Sequence, residues 1–310
     1  MPRYPLAQKL TNAEVRRKPD WLKVKLPTGD GYTKLHSLMS QQNLHTVCEE
    51  AHCPNISECW NGGTATIMLM GDTCTRGCRF CMVKTGNPQG LLDPLEPIRV
   101  GEAIADLNLT YVVLTSVDRD DLPDGGASHF SKTIKEIRSR DSQIIIEVLI
   151  SDFQGDLEAL KVICDASPAV ISHNIETTRS LSPKVRDPRA GYDQSLRVLE
   201  SIKKLRSGIF TKSSIMLGLG ESNDEIRAAM RDLRAAKVDI LTLGQYLQPS
   251  RGHLPVNEFI TPDQFEHYRG VAERLGFLYV AAGPLVRSSY RAGEYFIEKV
   301  IRNNIIHETI

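Results

Sequence analysis

The run Thr64-Ala-Thr-Ile-Met-Leu-Met70, followed at once by Gly71-Asp-Thr-Cys74-Thr-Arg-Gly-Cys78-Arg-Phe-Cys81, decides how this chain is read. A short apolar run of strand length opens directly into three cysteines spaced C-x3-C-x2-C. Similar β-rich runs recur at 111–116, 144–150, 169–175, 213–219 and 240–246. Between them lie stretches of helical period, in which Leu196, Leu199, Ile202 and Leu205 share a face, as do Ile226, Met230 and Leu233, and then Phe265, Tyr268, Ala272 and Leu275. Six β-then-α units joined by short links predict a parallel sheet with helices outside it. A closed eight-fold barrel takes about 250 residues, and residues 64 to 276 supply fewer. The expected fold is therefore an open, partial (βα)6 barrel of the α/β class. In such a barrel the loop after the first strand lies at the carboxyl ends of the strands, where active sites collect. The segment Gly218-Leu-Gly220-Glu-Ser-Asn223 lacks the third glycine of a dinucleotide loop, which leaves a Rossmann reading weak.

The composition sets limits on function. The chain has 310 residues, 38 Lys+Arg against 38 Asp+Glu, and 41% apolar residues, as a globular protein does. Formal neutrality removes the whole-chain argument for nucleic acid. No apolar run is long enough to span a membrane, and the start Met1-Pro-Arg-Tyr-Pro5 carries no apolar secretory core. A cytoplasmic protein is expected. Residues 1–47 hold eight Lys+Arg and three Asp+Glu, and read as an extended basic arm anchored by Trp21 and Leu22.

Seven cysteines are present, six of them (Cys48, Cys53, Cys59, Cys74, Cys78 and Cys81) within 34 residues. An odd total without an export signal argues against a disulfide framework, and six crowded thiols suggest metal. Three thiolates on one tight loop can hold three corners of a cubane iron–sulfur cluster, leaving the fourth iron open to a small molecule. Gly77 is expected to let the backbone fold round the cluster, and Arg76 and Arg79 to favour thiolates by their charge. The first group, Cys48, Cys53 and Cys59, is spaced C-x4-C-x5-C and offers another three ligands. Local candidates for its fourth are His52, Glu49, Glu50 and Glu58. A zinc site would pair knuckles to reach four ligands, and Cys78 with Cys81 alone would read as a redox pair. Cys164, between Leu160, Val162 and Ile163, reads as a buried small hydrophobe.

C-x3-C-x2-C after the first barrel strand resembles the signature of radical S-adenosylmethionine (SAM) enzymes. Preceded by CEEAHCPN at 48–55 and followed by Arg287-Ser288-Ser289-Tyr290-Arg291-Ala292, it resembles the lipoyl synthase family in particular. RKPDWLKVKLPTG at 17–29, VLTSVDRDDLPDGG at 113–126, HNIET at 173–177 and GQYLQPS at 244–250 agree. The resemblance runs from about residue 17 to 292.

The resemblance implies two 4Fe-4S clusters: one on Cys74, Cys78 and Cys81 that binds SAM, and an auxiliary one on Cys48, Cys53 and Cys59. It also implies a serine of the RSSY segment as the auxiliary cluster's fourth ligand, placed at Ser289 with Ser288 as its competitor. The implied reaction inserts sulfur from the auxiliary cluster at carbons 6 and 8 of an octanoyl chain on a lysine of a lipoyl carrier domain. A radical derived from SAM abstracts hydrogen at each carbon. Implied partners are octanoylated E2 subunits of 2-oxoacid dehydrogenases, the glycine cleavage H protein, and a low-potential donor such as ferredoxin or flavodoxin, with no nucleic acid and no membrane. Asn174 and Glu176 at the fourth strand, Gly218 and Gly220 at the fifth, and Gln245, Tyr246 and Leu247 at the sixth are the expected SAM contacts. The Asp118-Arg-Asp-Asp121 run either shapes the site or serves as a solvated loop, while Arg287 and Arg291 orient the C-terminal segment. Three regions are expected: an N-terminal arm with the auxiliary cysteines (1–63), the barrel (64–281), and a C-terminal segment closing over the auxiliary cluster (282–310). The alternatives are another sulfur-inserting or methylthiolating enzyme of the superfamily, or a structural zinc or electron-transfer protein.

Overall fold

The structure is a computed structural model, and it describes residues 18–24, 27–51, 53–62, 64–107 and 109–289. Ten strands are formed: β1 (His45–Thr46), β2 (Thr66–Leu69), β3 (Thr73–Cys74), β4 (Lys84–Thr85), β5 (Tyr111–Ser116), β6 (Ile145–Leu149), β7 (Val170–Ser172), β8 (Phe210–Leu217), β9 (Ile240–Gln245) and β10 (Tyr279–Gly283). The α-helices are α1 (Asp30–Gln41), α2 (Val47–Glu50), α3 (Ile56–Asn61), α4 (Glu96–Leu107), α5 (Ala127–Arg140), α6 (Leu157–Asp165), α7 (Ser182–Val185), α8 (Tyr192–Leu205), α9 (Asn223–Ala235) and α10 (Pro262–Arg274).

One eight-stranded sheet carries the fold, in the order β1-β2-β5-β6-β7-β8-β9-β10. Every pair from β2 to β10 is parallel, and β1 lies antiparallel on the β2 edge. Each parallel strand pairs with the next one in the chain, as helical crossovers between adjacent strands require. Among the described residues no bond joins β1 to β10, so the barrel is open as expected. Six strand–helix units are present. A seventh parallel strand, β10, follows the last helix and was not foreseen. Its sequence YVAAG is short and only Val280 is buried, so it carries little apolar pattern.

Burial explains the layers. The central strands are buried on both faces, which is why they read as continuous apolar runs. Tyr111, Val113, Ile145, Val170 and Ile240 form a cluster between strands, and Ile226, Met230 and Leu233 pack α9 onto the sheet. A four-residue polar group lies in the same buried layer. Lys212 Nζ on β8 donates to both Glu147 oxygens on β6 at 2.8 and 3.1 Å, and Tyr111 and Ser172 hydroxyls complete that carboxylate's partners. Buried charge is tolerated where it is paired and fully bonded.

The N-terminal region differs from an extended arm. Residues 30–41 form α1, which buries Leu35 and Met39 and stacks Tyr32 on Trp60 of α3 with ring centroids 5.2 Å apart. Its apolar positions are too few to show a period in sequence. Leu22 is buried beside Tyr246, Val256 and Phe259, so it anchors the chain as expected, whereas Trp21 is 41% exposed and does not. Leu205 likewise faces outward. Residues 1–17, which carry most of the basic excess, lie outside the described residues. Among the described residues no helix is long and apolar enough to cross a membrane.

Candidate functional site

The three cysteines of the second group lie on the loop that leaves β2. Met70 and Gly71 both take positive φ, +66° and +86°, to turn the chain out of the strand. For Met70 this is strained backbone, and it is held on both sides. Its N–H donates to the Glu96 carboxylate at 2.9 Å, while its carbonyl accepts from Arg119 Nη1 at 3.2 Å. Glu96 in turn bonds His129 at 2.6 Å. The loop then forms the short β3–β4 ribbon, with Gly86 N–H closing onto the Cys74 carbonyl at 2.9 Å.

Behind the loop is a cage of carboxylates centred on Arg76. This side chain, 3% exposed, forks onto Asp152 at 2.7 and 2.9 Å and onto Asp120 at 2.8 and 2.9 Å. Its charge is therefore matched by aspartates and is not directed at the thiols, which corrects the expectation. The Arg79 guanidinium is bonded to the Lys184 carbonyl. Burial pushes Asp152 up, but Arg76 outweighs it and holds the carboxyl at about 2. Asp187 accepts from Gly77 N–H at 2.8 Å and from Arg189, which also reaches Asp120 and the Thr75 carbonyl. Gly77 is not in the left-handed region, and a Cβ there would meet only Thr85 at 3.8 Å. Its amide serves the loop through Asp187, and no lack of side chain is required. Within the Asp118–Asp121 run, Arg119 and Asp121 pair with each other and Asp121 accepts from Gly90 N–H, while Asp118 lies against Cys74.

The thiols themselves receive backbone N–H groups. Cys74 Sγ accepts from the amides of Arg76 and Asp118 at 3.4 and 3.3 Å, and Cys78 Sγ from Asp187 at 3.3 Å. Burial pushes Cys74 and Cys78 up to about 12 and Cys81 up to about 11. Asp118 adds to the rise at Cys74, while Arg186 opposes it at Cys78. Cys81 feels Cys74, and Cys78 feels Cys81, so the three are electrostatic neighbours. The Cys81 carbonyl is held by His253 Nε2 at 2.9 Å. Arg186 and His253 were missed in the sequence, where an isolated Arg or His carries no distinguishing signal.

The first group is built differently. Cys48 lies on α2, Cys59 on α3 and Cys53 between them, with Cys53 N–H donating to the Cys48 carbonyl at 2.9 Å. Burial, and then Cys53, push Cys48 up to about 12. Thr46 caps α2 through Glu49. Glu49 is held by Thr46, Glu50 contacts His45, and Glu58 is exposed; none of them lines the cavity. The three glutamates therefore stand apart from the cavity that the cysteines line, and His52 lies outside the described residues.

The whole of the first group and Cys81 of the second meet at one cavity of 390 Å³. Cys48, Cys53, Cys59 and Cys81 line it, as do Arg287, Ser288 and Ser289 from the far end of the chain. Asn174, Glu176, Gln245, Tyr246 and Leu247 line it as well. Asn174 Nδ2 donates to Glu176 at 3.1 Å, and burial raises the Glu176 carboxyl. The Gln245 side chain is used inside the protein, bonding the Leu217, Tyr246 and Glu258 carbonyls and Ile260 N–H. Gly218 and Gly220 do not line the cavity. Both have positive φ, and a Cβ on Gly218 would stand 2.3 Å from the Glu258 carbonyl oxygen, so packing explains that glycine. Cys164 is 1% exposed, inside the core as expected. Tyr290 and Arg291 lie outside the described residues.

The donor set fits iron–sulfur clusters. No disulfide joins the cysteines. Among the described residues no three His, Cys, Asp or Glu converge on a single ion, as is natural when each thiolate serves a different iron of a cubane. Amide N–H groups aimed at the sulfurs suit thiolate ligands. Two cavity residues also carry buried oxygens without a partner, Ser289 Oγ and Asn174 Oδ1, and such atoms are costly unless a bound group completes them.

Comparison with known proteins agrees with this site. Residues 68–233 match the model of the radical SAM superfamily, and residues 3–53 match that of the N-terminal domain of lipoyl synthase of the radical SAM family. The lipoyl synthase of Thermus thermophilus is 58% identical, over 96% of this chain and 92% of its own. That of Myxococcus xanthus is 56% identical over 92% and 95%. The mitochondrial lipoyl synthase of Danio rerio is 54% identical over 97% and 77%. In fold, the chain is similar to methylornithine synthase, with a TM-score of 0.54 at 14% identity over 97% of this chain and 94% of the other. It is also similar to the FeFe-hydrogenase maturase HydG of Carboxydothermus hydrogenoformans, with a TM-score of 0.53 at 15% identity over 87% and 70%. With one cysteine triad and Cys81 of the other on one cavity, and relatives this close along nearly its full length, the chain belongs to the lipoyl synthase family of radical SAM enzymes.

Proposed function

We infer that this chain carries out the lipoyl synthase reaction, inserting two sulfur atoms at carbons 6 and 8 of a protein-bound octanoyl-lysine. The observation that carries the residue assignment is that Cys48, Cys53, Cys59, Ser289 and, from the second triad, Cys81 line one cavity. In this reading Cys74, Cys78 and Cys81 hold the SAM-binding cluster, and Cys48, Cys53, Cys59 and Ser289 hold the auxiliary one. When bound, the two 4Fe-4S clusters and SAM supply the electron, the hydrogen abstraction and the sulfur that unactivated carbons require.

The protein's part is to place and shield the reacting groups. Asn174 offers an unsatisfied acceptor and Glu176 a buried carboxyl, suited to the amino and hydroxyl groups of SAM. Residues 245–247 present backbone at the same wall, while Phe80, Met216 and Val286 keep water from the space between the triads. Gly218 and Gly220 act at one remove, by shaping the turn behind Gln245.

The substrate acyl chain arrives on a folded carrier. We assign octanoylated E2 subunits and the glycine cleavage H protein as carriers, with ferredoxin or flavodoxin as the electron donor. We also divide the chain by role into residues 1–63, 64–281 and 282–310. Thiols without disulfides suit a reducing compartment, and we place the enzyme in the cytoplasm. The test is an anaerobic assay with octanoyl-lysyl peptide, SAM and dithionite, without added sulfide. Lipoyl peptide with two 5′-deoxyadenosines per product is expected. Deoxyadenosine without any thiolated peptide would overturn the reading.

A further inference from the structure

Ser289 comes from the end of the described fold, and the cysteines it faces come from near the beginning. Four observations show what joins them. Asn55, 3% exposed in the turn after Cys53, donates Nδ2 to the Leu285 carbonyl at 2.6 Å, across 230 residues of chain. The carbonyl of the same residue accepts from the Cys59 N–H at 2.9 Å. Gly244, on β9 opposite Gly283 of β10, lies under the turn that follows. A Cβ at 244 would stand 2.0 Å from the Val286 carbonyl oxygen and 3.0 Å from its carbon, both backbone atoms that cannot swing aside. Arg287 donates to that same Val286 carbonyl at 2.7 Å.

We propose that Asn55 and Gly244 form a two-point seat that positions residues 285–289, and through them Ser289, at the auxiliary cysteines. Gly244 sets how closely the segment lies on the sheet, because only a residue without a side chain admits the Val286 carbonyl. Asn55 sets its register along the sheet, because one donor selects one carbonyl. A single residue, Asn55, thereby ties a cysteine of the triad and the serine segment into one unit. Both are positioning residues, and they act through the segment. The geometry stands without any assignment for Ser289; only the consequence for sulfur insertion rests on the reading above.

The experiment is hydrogen–deuterium exchange on the full, anaerobically reconstituted protein, read on peptides covering residues 284–289. Wild type is compared with Asn55→Ala, Asn55→Asp, Gly244→Ala and Ser289→Ala. The three seat variants are expected to exchange about tenfold faster there, and their ratio of 5′-deoxyadenosine to lipoyl product to rise about tenfold. Ser289→Ala is expected to exchange like wild type, because the seat lies before it. Exchange within about twofold of wild type in folded Asn55→Asp or Gly244→Ala overturns the seat. If Gly244→Ala does not fold, the two Asn55 variants decide: Asn55→Ala removes the donor without adding charge, so faster exchange in Asn55→Asp alone is a charge effect and also overturns it. Iron content of Ser289→Ala, in a background with Cys74, Cys78 and Cys81 changed to Ala, reports separately on the ligand reading. Wild-type iron there would remove that reading and leave the exchange result to judge the seat.

Discussion

The two cysteine triads hold the same number of thiols and are built in opposite ways. Cys74, Cys78 and Cys81 occupy eight consecutive positions on one loop, and buried ion pairs from β5, β6 and the loop after β7 clamp it from behind. Cys48, Cys53 and Cys59 are spread over two short helices and the turn between them, and the serine that shares their cavity lies 230 residues beyond Cys59 in the chain. The first site is local in sequence and rigid in structure. The second depends on long-range packing. This contrast matches the proposed roles: one cluster must persist through both turnovers, whereas the other is dismantled and needs a ligand that can let go.

The largest test of this contrast is to remove thiols. Changing Cys74, Cys78 or Cys81 to Ala is expected to abolish both 5′-deoxyadenosine and lipoyl product. The same change at Cys48, Cys53 or Cys59 is expected to abolish lipoyl product while deoxyadenosine still forms, as measured by mass spectrometry of a single anaerobic reaction. Equal loss of deoxyadenosine from both sets would erase the distinction.

Next is the clamp. Arg76→Met leaves Asp152 buried beside no guanidinium and Asp120 with Arg189 alone, and removing one partner of a buried ion pair costs about 3–5 kcal/mol. Denaturant unfolding of the apoprotein reads this directly. A loss under about 1 kcal/mol would show the clamp to be ornamental. The ligand exchange comes third. Ser289→Cys is expected to retain auxiliary iron yet form lipoyl product about tenfold more slowly, because a fourth thiolate releases less readily than an alkoxide. Full activity in that variant argues against the weak-ligand idea.

The smallest effect is in pH. His173 is wholly buried: its Nδ1–H donates to the Ile150 carbonyl at 3.0 Å, and its Nε2 accepts from the Ser195 hydroxyl at 2.8 Å. Burial, and then Arg186, push it down to about 4, against an ordinary value of 6.5. The unfolded chain therefore binds the extra proton between those two values. Stability is intact above pH 6.5 and declines as pH falls toward 4, by a few kcal/mol at the acid end. His173→Asn should flatten that slope in urea midpoints taken at pH 5 and pH 7.5. An unchanged slope would assign the acid sensitivity to other groups.

Much of this was legible beforehand. The strand runs, the six strand–helix units and both triads follow from apolar patterning and cysteine spacing, which are local properties. Cys164 was legible for the same reason, as a small residue within an apolar helical stretch. Other features were not. Arg76 reads as a positive charge beside thiols until Asp120 and Asp152 are brought to it from other strands. Gly77 reads as a backbone requirement until the space around it is seen. The glutamates beside Cys48 and Cys59 read as candidate ligands, and only the fold shows that none of them lines the cavity. Helix α1 and strand β10 escaped because short or sparsely apolar elements are fixed by what they pack against.

The sequence by itself thus determined the class of fold, the positions of six thiols and the family to which they belong, because spacing along a chain limits which ligands can share a cluster. Only the tertiary structure decided that the first triad shares a cavity with Cys81, that aspartates absorb the charge of Arg76, and that Asn55 and Gly244 receive the segment carrying Ser289. Those facts depend on contacts between residues tens to hundreds of positions apart, and a linear pattern holds no record of which distant carbonyl will fall within reach of one buried amide.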